Sequence, residues 1–181
     1  GKFGGTLVKP TIGSDPKTFN YWAASDTAST EMGSLMWASL LTTDKYTGDV
    51  IPHMARSFSQ ETDGLTYTTT LRKGLTWSDG KPITSADVEF TFNTIIAEGY
   101  GNTSLRDVLS VAGKPPTVTS VDELTNKFET AEKFAPFLRT MGEIPIAPKH
   151  VIEPLIKGKN SRKKFMGLWG ATIEPGSLVT S

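Results

Sequence analysis

Leu65-Thr66-Tyr67-Thr68-Thr69-Thr70-Leu71 sets Leu65, Tyr67 and Leu71 on one side of an alternating run whose other positions are threonines. β-Branched and aromatic residues at a period of two describe a half-buried strand. Downstream, Trp77-Ser78-Asp79-Gly80 closes a tight turn. Thr84-Ser85-Ala86-Asp87 then opens a helix, because Thr84 can cap it and Asp87 suits the positive end of its dipole. Val88, Phe92, Ile95 and Ile96 supply an apolar stripe, so the spacing predicts a helix over 84–97 beside the strand.

Working outward, two more strands are expected at 117–121 and 124–130, turned at Asp122-Glu123, with Leu124, Asn126 and Phe128 sharing a face. Strands 65–71 and 124–130 should belong to one small sheet. Short helices over 136–141 and 148–156 fit the preference for proline in a first turn. Upstream, Gly4-Gly5-Thr6-Leu7-Val8 leads into a strand that the Ser14-Asp15-Pro16 turn follows. From Thr27 the pattern is helical: Met32, Leu35, Met36 and Leu40 recur at spacings of three and four, with Thr27 and Ser29 as candidate N-caps. Residues 44–48 read as a turn, and the Gly-, Lys- and Ser-rich stretch after Gly158 as loop. Strands and helices in this order point to α+β.

Composition narrows the function classes. The 181 residues are 37% apolar and 21% charged, a globular balance able to bury a core. Lys plus Arg and Asp plus Glu are 19 each, so no basic surplus suggests a nucleic-acid partner. The cluster Lys157, Lys159, Arg162, Lys163 and Lys164 reads as a solvated face. With no cysteine there is no disulfide framework, thiolate nucleophile or cysteine-built zinc site. No apolar run nears the roughly 20 residues of a membrane span. No signal segment is visible at Gly1, so an exported protein would begin this numbering after processing.

Enzyme signatures fail in turn. His53 and His150 are the two histidines, and neither has a partner at H-E-x-x-H spacing. No G-x-S-x-G elbow occurs. Gly74 to Lys81 lacks phosphate-loop spacing, and Pro82 stands where Ser or Thr is needed. Asp122-Glu123 and Asp87 with Glu89 read as a hairpin turn and a helix first turn rather than acid–base pairs. No cofactor or metal is expected.

More specific are seven blocks in order: Gly-Gly-Thr-Leu-Val (4–8), Ser-Asp-Pro-Lys-Thr-Phe-Asn (14–20), Asp-Gly-Leu-Thr-Tyr (63–67), Leu-Arg-Lys-Gly-Leu-Thr-Trp-Ser-Asp-Gly-Lys-Pro (71–82), Ala-Asp-Val-Glu-Phe-Thr-Phe (86–92), Phe-Ala-Pro-Phe-Leu (134–138) and Ile-Ala-Pro-Lys-His (146–150). Together they resemble bacterial extracellular solute-binding proteins of family 5, the oligopeptide-, dipeptide- and nickel-binding components of ABC importers. The resemblance implies an α+β fold: the N-terminal part of a two-lobed periplasmic-binding-protein-like structure, with a small mixed sheet flanked by helices. It implies residues 1–45 as first strand and helix of the main lobe, 46–157 as a small inserted subdomain, and 158–181 as a loop returning toward the main lobe. The second lobe would lie beyond Ser181.

It further implies an extracytoplasmic protein that captures a peptide or related small solute and delivers it to a membrane permease, with no nucleic-acid partner and no catalysis. One strip of the cleft would come from residues 20–29. By position Ser25, Asp26 and Thr27 would line it, two hydroxyls and a carboxylate suited to a ligand's amine, or they would merely cap the helix. Tyr21 and Trp22 could stack on a ligand or pack. Trp77 and Arg72 belong to the inserted subdomain and read as structural. A hydrolase and a ligand-free interaction module are the rival readings.

Overall fold

A computed structural model describes residues 4–5 and 15–170. The expected strand following Gly5 lies outside these residues. The chain's longer extended segments form a four-stranded sheet of β3 (Ala55–Gln60), β4 (Thr66–Leu71), β5 (Thr117–Ser120) and β6 (Thr125–Glu129), in the order β3-β4-β6-β5. Every pair is antiparallel, so the sheet is not mixed as expected. The two expected core strands, β4 and β6, are direct neighbours, with Tyr67 opposite Phe128. Val118 on β5 meets Phe128 from the other side, and all three are buried. Phe92 stands edge-on to Phe128 at 5.1 Å between ring centres, and Phe137 tilts against Tyr67 at 4.9 Å. The alternation therefore buries one face of the sheet under helices.

The covering helix α2 (Ser85–Phe90) continues as a π-helical segment, Thr91–Ile96. Its start is fixed by Asp87, whose Oδ2 accepts the Thr84 backbone N–H at 2.9 Å. The Asp87 Oδ1 accepts the Lys149 N–H at 3.0 Å, at the start of α5 (Lys149–Ile156). One buried carboxylate, 4% exposed, thus satisfies orphan amides at two helix starts. One turn on, the Thr91 hydroxyl donates to the Asp87 carbonyl and accepts the Ala147 N–H. Asn93 acts as a substitute strand for β5: its amide donates to the Val118 carbonyl at 2.7 Å and its carbonyl accepts the Val118 N–H at 3.1 Å. Glu89 accepts the Ser120 N–H at 3.0 Å, so helix side chains occupy the sheet edge.

Ahead of the sheet, α1 (Thr27–Met36) runs into a hairpin of β1 (Leu41–Thr43) and β2 (Val50–Pro52). The helix does not pack by its Met/Leu stripe as expected: Leu35 is 71% exposed, and the buried positions are Ala28, Ser29 and Gly33. Gly33 explains this, since a Cβ there would sit 2.9 Å from the Tyr21 ring. Only a face of small residues lets the helix approach so closely. Leu40 lies past the helix end and is buried. α3 (Thr103–Leu109) was not expected; Asn102, the first residue of a glycosylation-like triplet, caps it by accepting the Ser104 N–H. α4 (Phe137–Gly142) and α5 occur where proline predicted helices. α6 (Ser161–Gly167) corrects the expected loop after Gly158: buried Phe165 anchors it while its lysines face solvent.

Trp77 is buried as expected, its ring 6.3 Å from that of His150, whose Nε2 contacts Asp79 at 2.8 Å. Its indole N–H has no acceptor among the described residues, so its contribution is packing. Trp77→Ala should cost about 3–5 kcal/mol as a core cavity opens. Urea unfolding measures this; an unchanged midpoint contradicts the packing role.

Asp26, Asp44, Asp63, Asp79 and Asp122 repeat one device, each accepting a backbone N–H two or three residues ahead. These bonds hold all five carboxyls below the ordinary value of 3.8. A depressed folded value stabilises the fold above the unfolded value, and that stabilisation disappears as pH falls through the folded values. The urea midpoint should stay level from pH 7 to about 5 and drop below about pH 4. A midpoint maintained at pH 3 contradicts the account.

Candidate functional site

The segment before α1 is held from three sides. Tyr21–Ala23 form a 3-10 turn between Asn20 and the helix. Buried Asn20 donates its side-chain amide to the Phe165 carbonyl at 2.8 Å. Asn102 donates its N–H to the Trp22 carbonyl at 2.6 Å and its side-chain amide to the Ala24 carbonyl at 3.0 Å. Gly101 permits that approach, because a Cβ there would fall 2.0 Å from the Trp22 oxygen. Ser29 completes the clamp: its hydroxyl accepts the Lys17 and Thr18 N–H groups at 2.9 and 3.1 Å.

Asp26 is the N-cap of α1, its Oδ1 accepting the Ser29 N–H at 2.9 Å. The cap is therefore neither Thr27 nor Ser29, the two candidates read from the sequence. That hydrogen bond, with lesser help from Lys17, holds the Asp26 carboxyl low, so it is ionised at neutral pH. Ser25 and Thr27 are exposed on either side. Together Ser25, Asp26 and Thr27 border an open hollow of about 380 Å³ whose floor is the outer face of α1, Thr30, Glu31 and Ser34.

Ser34 also borders a second hollow, of about 290 Å³, so the two adjoin along the helix. Its walls include Tyr21, Trp37, Thr43, His53 and Glu143. Glu143, just past α4, accepts the Thr43 hydroxyl at 2.5 Å. Burial first, and the Glu143 charge second, push the Tyr21 phenol above its usual value. Tyr21 thus faces a cavity, as a stacking residue must. Trp22 does not: it is 0% exposed, its indole donates to the Pro145 carbonyl at 3.1 Å, and its ring packs on Trp37 and Trp169. Of the two readings open for Trp22, stacking on a ligand and packing, its burial supports packing. Glu143, Trp37 and Thr43 were not anticipated, because the contacts joining residue 43 to 143 are invisible to local pattern. His53 was weighed only as a metal ligand. Among the described residues no three His, Asp or Glu side chains converge as a metal site would need, and no helix is long and apolar enough to cross a membrane.

The family model for bacterial extracellular solute-binding proteins, family 5 (middle part), matches residues 49–171. The chain belongs to family 5 of the bacterial extracellular solute-binding proteins. Among family relatives, a probable ABC transporter-binding protein of Deinococcus radiodurans is 31% identical over 98% of this chain, which spans 30% of the relative. The substrate-binding protein CtaP of Listeria monocytogenes superposes with a TM-score of 0.71 at 33% identity, over 84% of this chain and 30% of that one. The oligopeptide-binding protein AppA of Bacillus subtilis, solved with a nonapeptide, gives a TM-score of 0.65 at 26% identity, over 79% of this chain and 27% of that one. The chain thus spans under a third of the length of these solute-binding proteins, and its α+β fold matches a fragment of theirs.

Because Asp26 both caps α1 and borders the hollow, its two roles can be separated. Asp26→Asn keeps an acceptor for the Ser29 N–H and should lose little stability, whereas Asp26→Ala should lower the midpoint further by fraying the first turn. Thermal denaturation of the pair checks this; identical curves for Asp26→Ala and the unsubstituted chain would show the cap is idle.

Proposed function

We propose that this chain supplies one wall of the cleft of an extracytoplasmic binding protein, which captures a peptide or related small solute and delivers it to the membrane permease of an ABC importer. The observation that carries this reading is the clustering of Ser25, Asp26 and Thr27 on one open hollow at a rigidly held helix start. Their two hydroxyls can meet a peptide main chain, and the ionised carboxylate can meet its amine. Neighbours named as peptide binders, AppA with its nonapeptide among them, share the fold. In this reading residues 1–45 belong to the main lobe and 46–157 to an inserted subdomain. Residues 158–181 return toward the main lobe, and the pairing of Thr18 with Gly170 is consistent with that path. In this reading the protein carries its solute unchanged, as a solute-binding protein does.

A clamp gains affinity when closure surrounds the ligand and removes water from its hydrogen bonds. One wall leaves the ligand half solvated. The 181-residue chain alone should bind peptides only at the millimolar level or weaker, about −4 kcal/mol. The full-length protein should bind far more tightly, and Asp26→Asn should weaken it. Calorimetry on both proteins reads this directly. Micromolar binding by the isolated chain, or turnover of a peptide panel, would overturn the reading.

A further inference from the structure

Beside the hollow at Asp26, the second hollow has a chemistry of its own. Two aromatic residues, Tyr21 and Trp37, stand in its wall with one carboxylate, Glu143, and no lysine or arginine is among its lining residues. Glu143 is oriented by the Thr43 hydroxyl at 2.5 Å. Among the described residues it has no ion-pair partner. Arg139, one turn earlier on α4, is engaged by the Gly48 carbonyl instead. The nearby Arg72 directs its Nε to the His53 carbonyl at 2.8 Å. The hollow therefore presents, beside Tyr21, a carboxylate with no ion-pair partner among the described residues, and such a group attracts a cation by charge.

We infer that the Glu143 hollow is a specificity pocket for a basic side chain, lysine or arginine, on the solute held at Asp26. This rests on the peptide-capture reading above and adds to it the class of solute. The spacing between the hollows sets where the basic residue falls. From Asp26 to the shared Ser34 is eight residues of helix, about 12 Å at about 1.5 Å per residue. An extended peptide advances about 3.3 Å per residue, so a chain whose amine meets Asp26 brings its third or fourth residue to the Glu143 hollow. His53 and Tyr21 are the other titratable groups on that wall.

The test is calorimetry on the full-length protein with alanine tetrapeptides, each carrying lysine or its neutral analogue norleucine at one position. The lysine peptide should bind about tenfold more tightly than its norleucine twin at the third or fourth position, and equally at the second. In Glu143→Gln, which keeps the acceptor for Thr43, that ratio should fall to about one, and added salt should shrink it in the unsubstituted protein. Because the ratio is first read without any substitution, a poorly folding variant leaves the inference testable. A ratio of one at every position, or a ratio unaltered by Glu143→Gln, overturns the basic pocket while leaving peptide capture intact. Failure of lysine and norleucine peptides alike to bind overturns both.

Discussion

Asp87 ties together two helix starts, the second of them 62 residues beyond it in sequence. A buried carboxylate loses the hydration that would stabilise its charge, and it persists only where charge-assisted hydrogen bonds replace that water. Here the replacements are backbone amides at the starts of α2 and α5, 62 residues apart in the case of Lys149. Thr91, one turn later, extends the junction to Ala147. The buried stretch 144–147 is thus bonded on one side to the helix that covers the sheet. On the other, Ile146 donates to the Ala38 carbonyl and Pro145 accepts the Trp22 indole. The position of α1 relative to the sheet, and hence of both hollows, descends from this relay.

The Glu143 hollow depends on that relay as well. Glu143 sits between α4, which packs Phe137 onto Tyr67, and the buried stretch that receives Trp22. Tyr21 reaches the same hollow because Gly33 lets its ring approach α1 closely. Substituting a larger residue at Gly33 would displace the ring that forms one wall, so the smallest side chain of the helix shapes the cavity next to it.

How much of this was legible in the sequence follows from the range of each interaction. β4, β6, the capped start of α2 and the two proline-led helices were readable, because alternation and capping are encoded within a few residues. The hairpin of β1 and β2, strand β3 and helix α3 were missed. β1 and β2 are three residues each, too short for a period to register, and β3 carries Arg56, Ser57, Ser59 and Gln60 on an exposed edge. The orientation of α1 was misread because its docking face is small rather than apolar: Leu35 is exposed and Met36 packs only partly against the core. At the candidate site, Ser25, Asp26 and Thr27 are adjacent in sequence, so a local reading can single them out together. Thr43 and Glu143 are 100 residues apart, and no local reading joins them.

The pairing of Thr18 with Gly170 carries a consequence for the chain's topology. Phe19 donates to the Trp169 carbonyl at 2.8 Å, so the chain enters and leaves the body between them through neighbouring, oppositely directed segments joined by an isolated bridge. A unit whose two ends meet can occupy a single loop of a host without stretching it, and can be lost or exchanged by cutting at one place. Residues 20–168 therefore begin and end side by side, so a change within them need not alter the distance between the flanking segments.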